Sequence, residues 1–338
     1  MAAALAAVGV VASCGSDEGT SGPREVTLML DWTPNTNHAG IYLAAADGLF
    51  ADAGIDLRIL QPGETGALQA VATGHADVGI SVQEAVVPAQ AEGLPVISIA
   101  AIVQHNTSSL LALADTGIAG PADLPGHRYG GFGGQLERAI IERLIECAGG
   151  DPAALDIVEV GNTDARVGLE SGAFDVVWVF DAWDTLRLQQ AGVAVTTIPL
   201  RDHLDCIPDW YTPLVITSTA LARDDPALVA AFTHATATGY ERAIADPQAA
   251  ADALLAAAPE LDEELVRASA EFLAPEYAAD APRWGHQRQD VWQRFVSFLV
   301  DTGLVAGPTP DVDTMFTNRF LPPAAESAAP GPGSTEGS

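Results

Sequence analysis

The sequence contains no lysine; all 15 of its Lys and Arg positions are arginine. That excludes a Schiff-base lysine, pyridoxal chemistry through a side-chain amine, and the lysine of a phosphate-binding loop. Basic residues are scarce against 45 Asp and Glu, and the formal net charge is −30. Nucleic acid is therefore not an expected partner, because phosphate binding needs clustered Lys and Arg. Cysteine is limited to Cys14, Cys147 and Cys206. No C-x-x-C, H-E-x-x-H or EF-hand pattern occurs, so neither a metal centre nor a cofactor is expected. A G-x-S-x-G elbow and kinase motifs are missing too. No apolar run reaches the ~18 residues of a membrane-spanning helix.

What is present is a globular chain of 338 residues, 48% hydrophobic, with mean hydropathy +0.19. That is enough for one large or two medium domains with real cores. Apolar, β-branched runs at Val26–Leu30, Leu57–Leu60, Val78–Ser81, Val96–Val103 and Val176–Phe180 alternate with Ala-rich helical stretches. The pattern predicts an α/β fold with parallel sheets wrapped by helices. Two segments look like counterparts: TGHADVGIS (Thr73–Ser81) and SGAFDVVWV (Ser171–Val179) share a stop-and-strand pattern, which suggests two similar lobes. From Ala220 to Leu304 the chain reads as helical, with breaks at Pro226, Pro247, Pro259 and Pro282. Residues 1–14 read as a lipoprotein signal ending at Cys14, the expected lipidation site, with 15–24 as a tether. No Arg or Lys precedes the apolar stretch, a departure from that pattern. Residues 323–338 have the composition of a disordered tail. Cys147 and Cys206 could pair in an oxidising compartment. With no spacing argument to join them, two buried free thiols are expected.

The most informative stretch is LDWTPNTNHAGIYLAAADGLFADAG, Leu30 to Gly54. It reads as a strand end, a polar loop and a helix from Ala39 to about Asp47 that stops at Gly48. The loop gathers Trp32, Asn35, Asn37 and His38, an aromatic face beside groups that both donate and accept; this suits a flat, neutral ligand. Other candidates fall after predicted strands: Ser81 and Glu84, the glycine loop with Gly131 and Gly133, then Glu137 opening a helix, and Trp178, Phe180, Asp181 and Trp183. Tyr211 precedes a later strand. Each has a structural alternative. Trp32 could fill the core, the asparagines could bond their own loop, His38 could serve a helix start, and Glu137 could be a first-turn acid. At least one aromatic of the Trp178 strand is expected in the core, because alternate residues face opposite sides. The glycine loop could bind an anion or simply admit a close ligand.

These motifs carry a family resemblance. DW-x-PNTNH-x-G with YLA-x-x-x-GLF-x-x-x-G, then GHADVGISVQE, YGGFGGQLERA, DVVWVFDAW, DWYTPLVIT and RWGHQ, resembles the pyrimidine-precursor-binding proteins of thiamine-salvage transporters over residues 25 to 322. The wider group takes in sulfonate and riboflavin binders and the thiamine pyrimidine synthases. The resemblance implies a two-lobe periplasmic-binding-protein fold (type II) with the ligand in the interlobe cleft. Lobe one is expected at 25–112 plus 216–322 and lobe two at 113–215. It implies a monomeric lipoprotein outside the cytoplasm, serving an ABC permease and ATPase. The implied ligand is an aminopyrimidine stacked on Trp32 or a lobe-two aromatic, its amine accepted by Glu137 first and Asp181 second. An alkanesulfonate or riboflavin-like ligand is the alternative. The synthases place Lys and His after the strand matching Val78–Ile80 and a run of cysteines before the returning strand. Here Ser81, Ala85 and a single Cys206 stand in those places, which argues against that chemistry.

Overall fold

A computed structural model of the chain describes residues 22–63, 65–161 and 163–324. Cys14, the expected signal and most of the expected tether and tail lie outside the described residues. Ten strands form two five-stranded sheets: β1 (Arg24–Met29), β2 (Ile55–Leu60), β3 (Val78–Ser81), β4 (Val96–Ala101), β5 (Ser108–Leu113), β6 (Arg128–Gly131), β7 (Asp156–Glu159), β8 (Val176–Phe180), β9 (Val195–Pro199) and β10 (Leu214–Ser218). The first sheet has the order β2-β1-β3-β10-β4, the second β7-β6-β8-β5-β9.

The sheets are mixed, which corrects the expectation of parallel ones. β1 pairs in parallel with β2 and β3, and β6 with β7 and β8. β10 runs antiparallel between β3 and β4, and β5 antiparallel between β8 and β9. In each sheet the reversed strand is the first one laid down after the chain crosses between sheets. A returning chain enters from the opposite end, so it runs against its neighbours.

The two counterpart segments occupy equivalent places. Asp77 accepts from the backbone N–H of Thr27 at 2.8 Å, and Asp175 from that of Arg128 at 2.8 Å, each bridging two central strands of its sheet. The crossings are the segments 102–107 and 200–213. β5 lies wholly in the second sheet, so the first crossing comes before residue 108 and not at the expected 112. Arg24, assigned to the tether, is already paired in β1 with Ile55.

Helices of the C-terminal third pack on the first sheet. Pro226 and Pro247 do not break helices but begin them, at positions whose N–H would be unbonded in any case. The helix Pro226–Ala245 crosses the helix Ala39–Ala46 at two glycines: a Cβ on Gly239 would stand 2.1 Å from the Gly40 carbonyl oxygen. One buried apolar cluster runs through both lobes, joining Val86 and Leu214 of the first to Leu110 and Ile140 of the second through Trp210, Trp292 and Phe295. Cys147 and Cys206 form a disulfide with Cα atoms 5.9 Å apart, in place of the expected free thiols. The end of the helix Gln135–Cys147 and the second crossing converge in space, which their separation of 59 residues in sequence conceals.

Candidate functional site

The crossings, the glycine loop with the start of the helix Gln135–Cys147, and the facing ends of β8 and the helix Gln83–Ala91 line an open cleft of about 380 Å³. Its second-lobe wall is aromatic. Trp178 and Phe180 lie two residues apart on β8 and so share one face, while Val177 and Val179 point into a separate core cluster. Phe132, from the glycine loop, stands beside them and is 57% exposed, as Phe180 is 44% exposed. Trp210, from the second crossing, forms the base. Its ring lies 6.1 Å from Trp178 and is stacked at 5.5 Å on Phe295 of the C-terminal helix Gln289–Asp301.

Polar groups converge on this aromatic frame. Glu84 comes from the first lobe, Asn106 and Ser108 from the first crossing, Thr212 from the second, and Asp184 from a single π-helical turn, Asp181–Thr185. Asn106 Nδ2 is shielded from solvent without any hydrogen-bond partner, and Glu84 Oε2 and Trp210 Nε1 have no well-aligned partner beyond their approach to each other and to Thr212. Asn106 and Trp210 are fully buried, at 2% and 1% exposure. An unpartnered buried polar atom costs roughly 1–3 kcal/mol, so Asn106 Nδ2, beside a buried carboxyl and an indole N–H in a cleft lined with aromatic rings, gives another molecule bonding capacity to complete. Burial pushes the Glu84 carboxyl up to about 7, with its own backbone and the nearby Trp210 and Thr212 side chains offsetting part of the effect. Burial also raises the Asp184 carboxyl, partly offset by Arg187.

The expected site residues divide between this cavity and the scaffold. Glu84, Glu137, Trp178 and Phe180 line it. Glu137 is already engaged there: it accepts from the Tyr129 hydroxyl at 2.5 Å and from the backbone N–H groups of Phe132 at 3.0 Å and Gly134 at 3.3 Å. It therefore holds the glycine loop against its helix and has little capacity left for a ligand amine. Asp181 is likewise engaged, accepting from Ser109 Oγ at 2.6 Å and Thr185 Oγ1 at 2.9 Å. Gly133 has a φ of +85°, which a side chain would resist, and faces a smaller pocket behind the loop. Gly131 packs against Ile157 and Tyr129, and Ser81 is buried at the end of β3.

The DWTPNTNH loop lies outside the cavity lining and is bonded to its own lobe. Asn35 Oδ1 accepts from the Asn37 N–H at 2.9 Å, and the Asn35 N–H donates to His38 Nδ1. His38, fully buried, thus carries its proton on Nε2 and donates to Asp31 at 2.8 Å. The hydroxyls of Tyr277 and Tyr240 donate to the Thr36 and Asn37 carbonyls, both at 2.6 Å. Trp32 is 57% exposed and does not fill the core. Trp183 packs on the cluster around Leu254 and Val266, joining the second lobe to the first. The buried Tyr211 accepts from the Arg288 N–H at 2.8 Å. Its neighbour Trp210 faces the cavity instead. Asn106, Ser108 and Asp184 lie outside every motif quoted from the sequence. Phe132 stands inside YGGFGGQLERA, and Trp210 and Thr212 inside DWYTPLVIT.

The family described as NMT1/THI5 like matches residues 35–250. The chain belongs to the NMT1/THI5-like family. Its relatives in that family include binders and enzymes. It is 28% identical over 303 residues to the formylaminopyrimidine-binding protein of Halalkalibacterium halodurans, covering 87% of this chain and 91% of the relative. It is 27% identical over 304 residues to the 4-amino-5-hydroxymethyl-2-methylpyrimidine phosphate synthase of Legionella pneumophila, covering 88% and 92%. In three dimensions the periplasmic aliphatic sulphonate-binding protein SsuA of Escherichia coli matches with a TM-score of 0.64 at 16% identity, over 93% of this chain and 99% of that one. This likeness establishes the two-lobe periplasmic-binding-protein fold.

Proposed function

We propose that this chain is the ligand-binding component of an ABC importer and captures a thiamine pyrimidine precursor, a formylaminomethyl- or hydroxymethyl-aminopyrimidine, in the cavity at the lobe crossings. The observation that carries the reading is a buried carboxyl, Glu84, beside the Trp210 N–H and the unpartnered Asn106 Nδ2, set among aromatic rings. An aminopyrimidine has a ring nitrogen beside an exocyclic amine. A carboxyl that titrates near 7 meets that edge in either charge state: it accepts from the amine and shares a proton with the ring nitrogen. Trp210 and Asn106 donate to the remaining acceptors. Trp178 stacks on the ring, an offset stack adding ~0.5–1.5 kcal/mol beyond area burial. A charge-assisted bond to Glu84 adds ~1.5–3 kcal/mol. The similarity to the Halalkalibacterium binder points the same way.

The reading as a synthase has less support. The sequence has no lysine, Ser81 and Ala85 stand where the synthases carry Lys and His, and Cys206 is tied up with Cys147. In the binding reading the protein works outside the cytoplasm, anchored by lipid on Cys14 and delivering ligand to a permease and its ATPase. Calorimetry with the formylaminomethyl- and hydroxymethyl-aminopyrimidines tests the proposal. Saturable one-to-one binding that Glu84→Gln weakens is expected; tight alkanesulfonate binding indifferent to Glu84→Gln would refute it. Formation of a pyrimidine product by the pure protein would move the reading to catalysis.

A further inference from the structure

The charge of the cavity is one-sided. Its lining carries three carboxyl side chains, Glu84, Glu137 and Asp184, and among the described residues that line it there is no Arg or His. Glu137 is spent on Tyr129 and the glycine loop. Glu84 and Asp184 are left, one supplied by each lobe. Asp184 has only a share of its neighbour: the Arg187 guanidinium bonds it at 3.4 Å and Asp164 more closely, at 2.7 Å. Four aromatic side chains, Phe132, Trp178, Phe180 and Trp210, surround the same space. Aromatic faces and carboxylates both attract a cation, and both repel a phosphate or sulfonate. The buried Asn106, whose amide nitrogen has no partner, marks the space as built for a ligand, apart from its acidity.

Resting on the binding reading above, we infer that the cavity selects a cationic aminopyrimidine, its ring edge on Glu84 and a protonated aminomethyl substituent held between Asp184 and the aromatic wall. The favoured ligand is then the deformylated, ammonium-bearing precursor. Its neutral N-formyl derivative binds less tightly, and its phosphate ester counterpart is turned away. Asp184 sets this preference because it faces the substituent from the lobe opposite Glu84.

The test is calorimetry at pH 7 on the full chain. The ligands are 4-amino-5-aminomethyl-2-methylpyrimidine, its N-formyl derivative, and the phosphate ester of the hydroxymethyl analogue. The ammonium ligand is expected to bind about tenfold more tightly than the formyl ligand, and the phosphate ester at least about a hundredfold more weakly than either. Asp184→Asn should collapse the ratio of ammonium to formyl affinities to about one, and Asp184→Glu should restore much of it. Thermal melts of both variants confirm that they are folded. Added salt should narrow the ratio in the native protein and leave it unchanged in Asp184→Asn. If the formyl ligand binds as tightly as the ammonium ligand, or Asp184→Asn lowers both in proportion, this inference falls while the binding reading stands. If no pyrimidine binds, both fall.

Discussion

The loop after β1 and the two crossings make an instructive pair. Both gather amide, imidazole or carboxyl groups beside tryptophan, and both lie at strand ends. In the loop every group discussed finds a partner within the lobe: His38 has Asp31 and the Asn35 N–H, Asn35 has Asn37, and two tyrosine hydroxyls cap the loop carbonyls. At the crossings Asn106 Nδ2 has none, and Glu84 and Trp210 approach only each other and Thr212 within the same cavity. The same chemical inventory is bonded within itself in one place and lines an open cavity in the other. Satisfaction of hydrogen bonds separates them, because a protein leaves buried polar atoms unpaired only at a cost that a ligand can relieve.

Substitutions that act on one member of the pair sharpen the contrast. The largest effect is expected at Glu84. Glu84→Gln should weaken aminopyrimidine binding about a hundredfold by calorimetry, since it removes a charge-assisted acceptor. The same change should alter the pH dependence of stability. The folded protein holds the Glu84 proton up to about pH 7, whereas the unfolded chain releases it near 4.5. Folding therefore loses stability as pH rises between those values, by up to roughly 3 kcal/mol, and changes little above them. Urea melts from pH 4.5 to 8 should show this slope in the native protein and lose it in Glu84→Gln.

Next comes His38→Ala in the loop. It strands Asp31 and the Asn35 N–H and should cost about 2 kcal/mol of stability in denaturant melts. Ligand affinity of the folded protein should change by less than about threefold. A larger loss of affinity would break the contrast by placing the loop within the site. Trp210→Phe keeps an aromatic ring on Phe295 but removes the indole N–H. Affinity should drop about tenfold, while stability falls by under about 1.5 kcal/mol.

The smallest effect concerns the pairing of the two crossings. His105, in the first crossing, bonds Asp209 of the second at 2.6 Å and Asp280 of the first lobe at 3.1 Å; Arg288 reaches Asp280 at 3.8 Å. Its hydrogen bond to Asp209 is the main cause that raises its pKa. A histidine whose folded pKa is raised stabilises the fold fully below its unfolded value of roughly 6.5 and ceases to do so as pH climbs through the folded one. The native protein should therefore lose a little stability over that window, and His105→Gln should flatten the melting curve there.

Much of the architecture follows from local pattern. Alternating apolar strands and Ala-rich helices, the helix stop at Gly48 and the paired Asp-Val motifs are properties of short segments, and the structure reproduces them with Gly48 at φ +75°. The missing lysines and the arginine-poor motifs limit the available chemistry wherever the chain is folded. Other features depend on segments that meet only in three dimensions. β5 and β10 run against their neighbours because the chain returns from the other sheet. Cys147 reaches Cys206 because a helix end meets a crossing. Trp210, and not Tyr211, faces the cavity because β10 and the C-terminal helix fix the rotation of one irregular segment, and no periodicity in the sequence encodes that. Composition determined which polar groups the chain possesses. Asp31, Asn35 and His38 bond one another within a few residues, but tertiary packing decided the rest, because those bonds need partners from distant parts of the chain: Tyr240 and Tyr277 supply them for the loop carbonyls, and for the Asn106 amide nitrogen no such partner arrives.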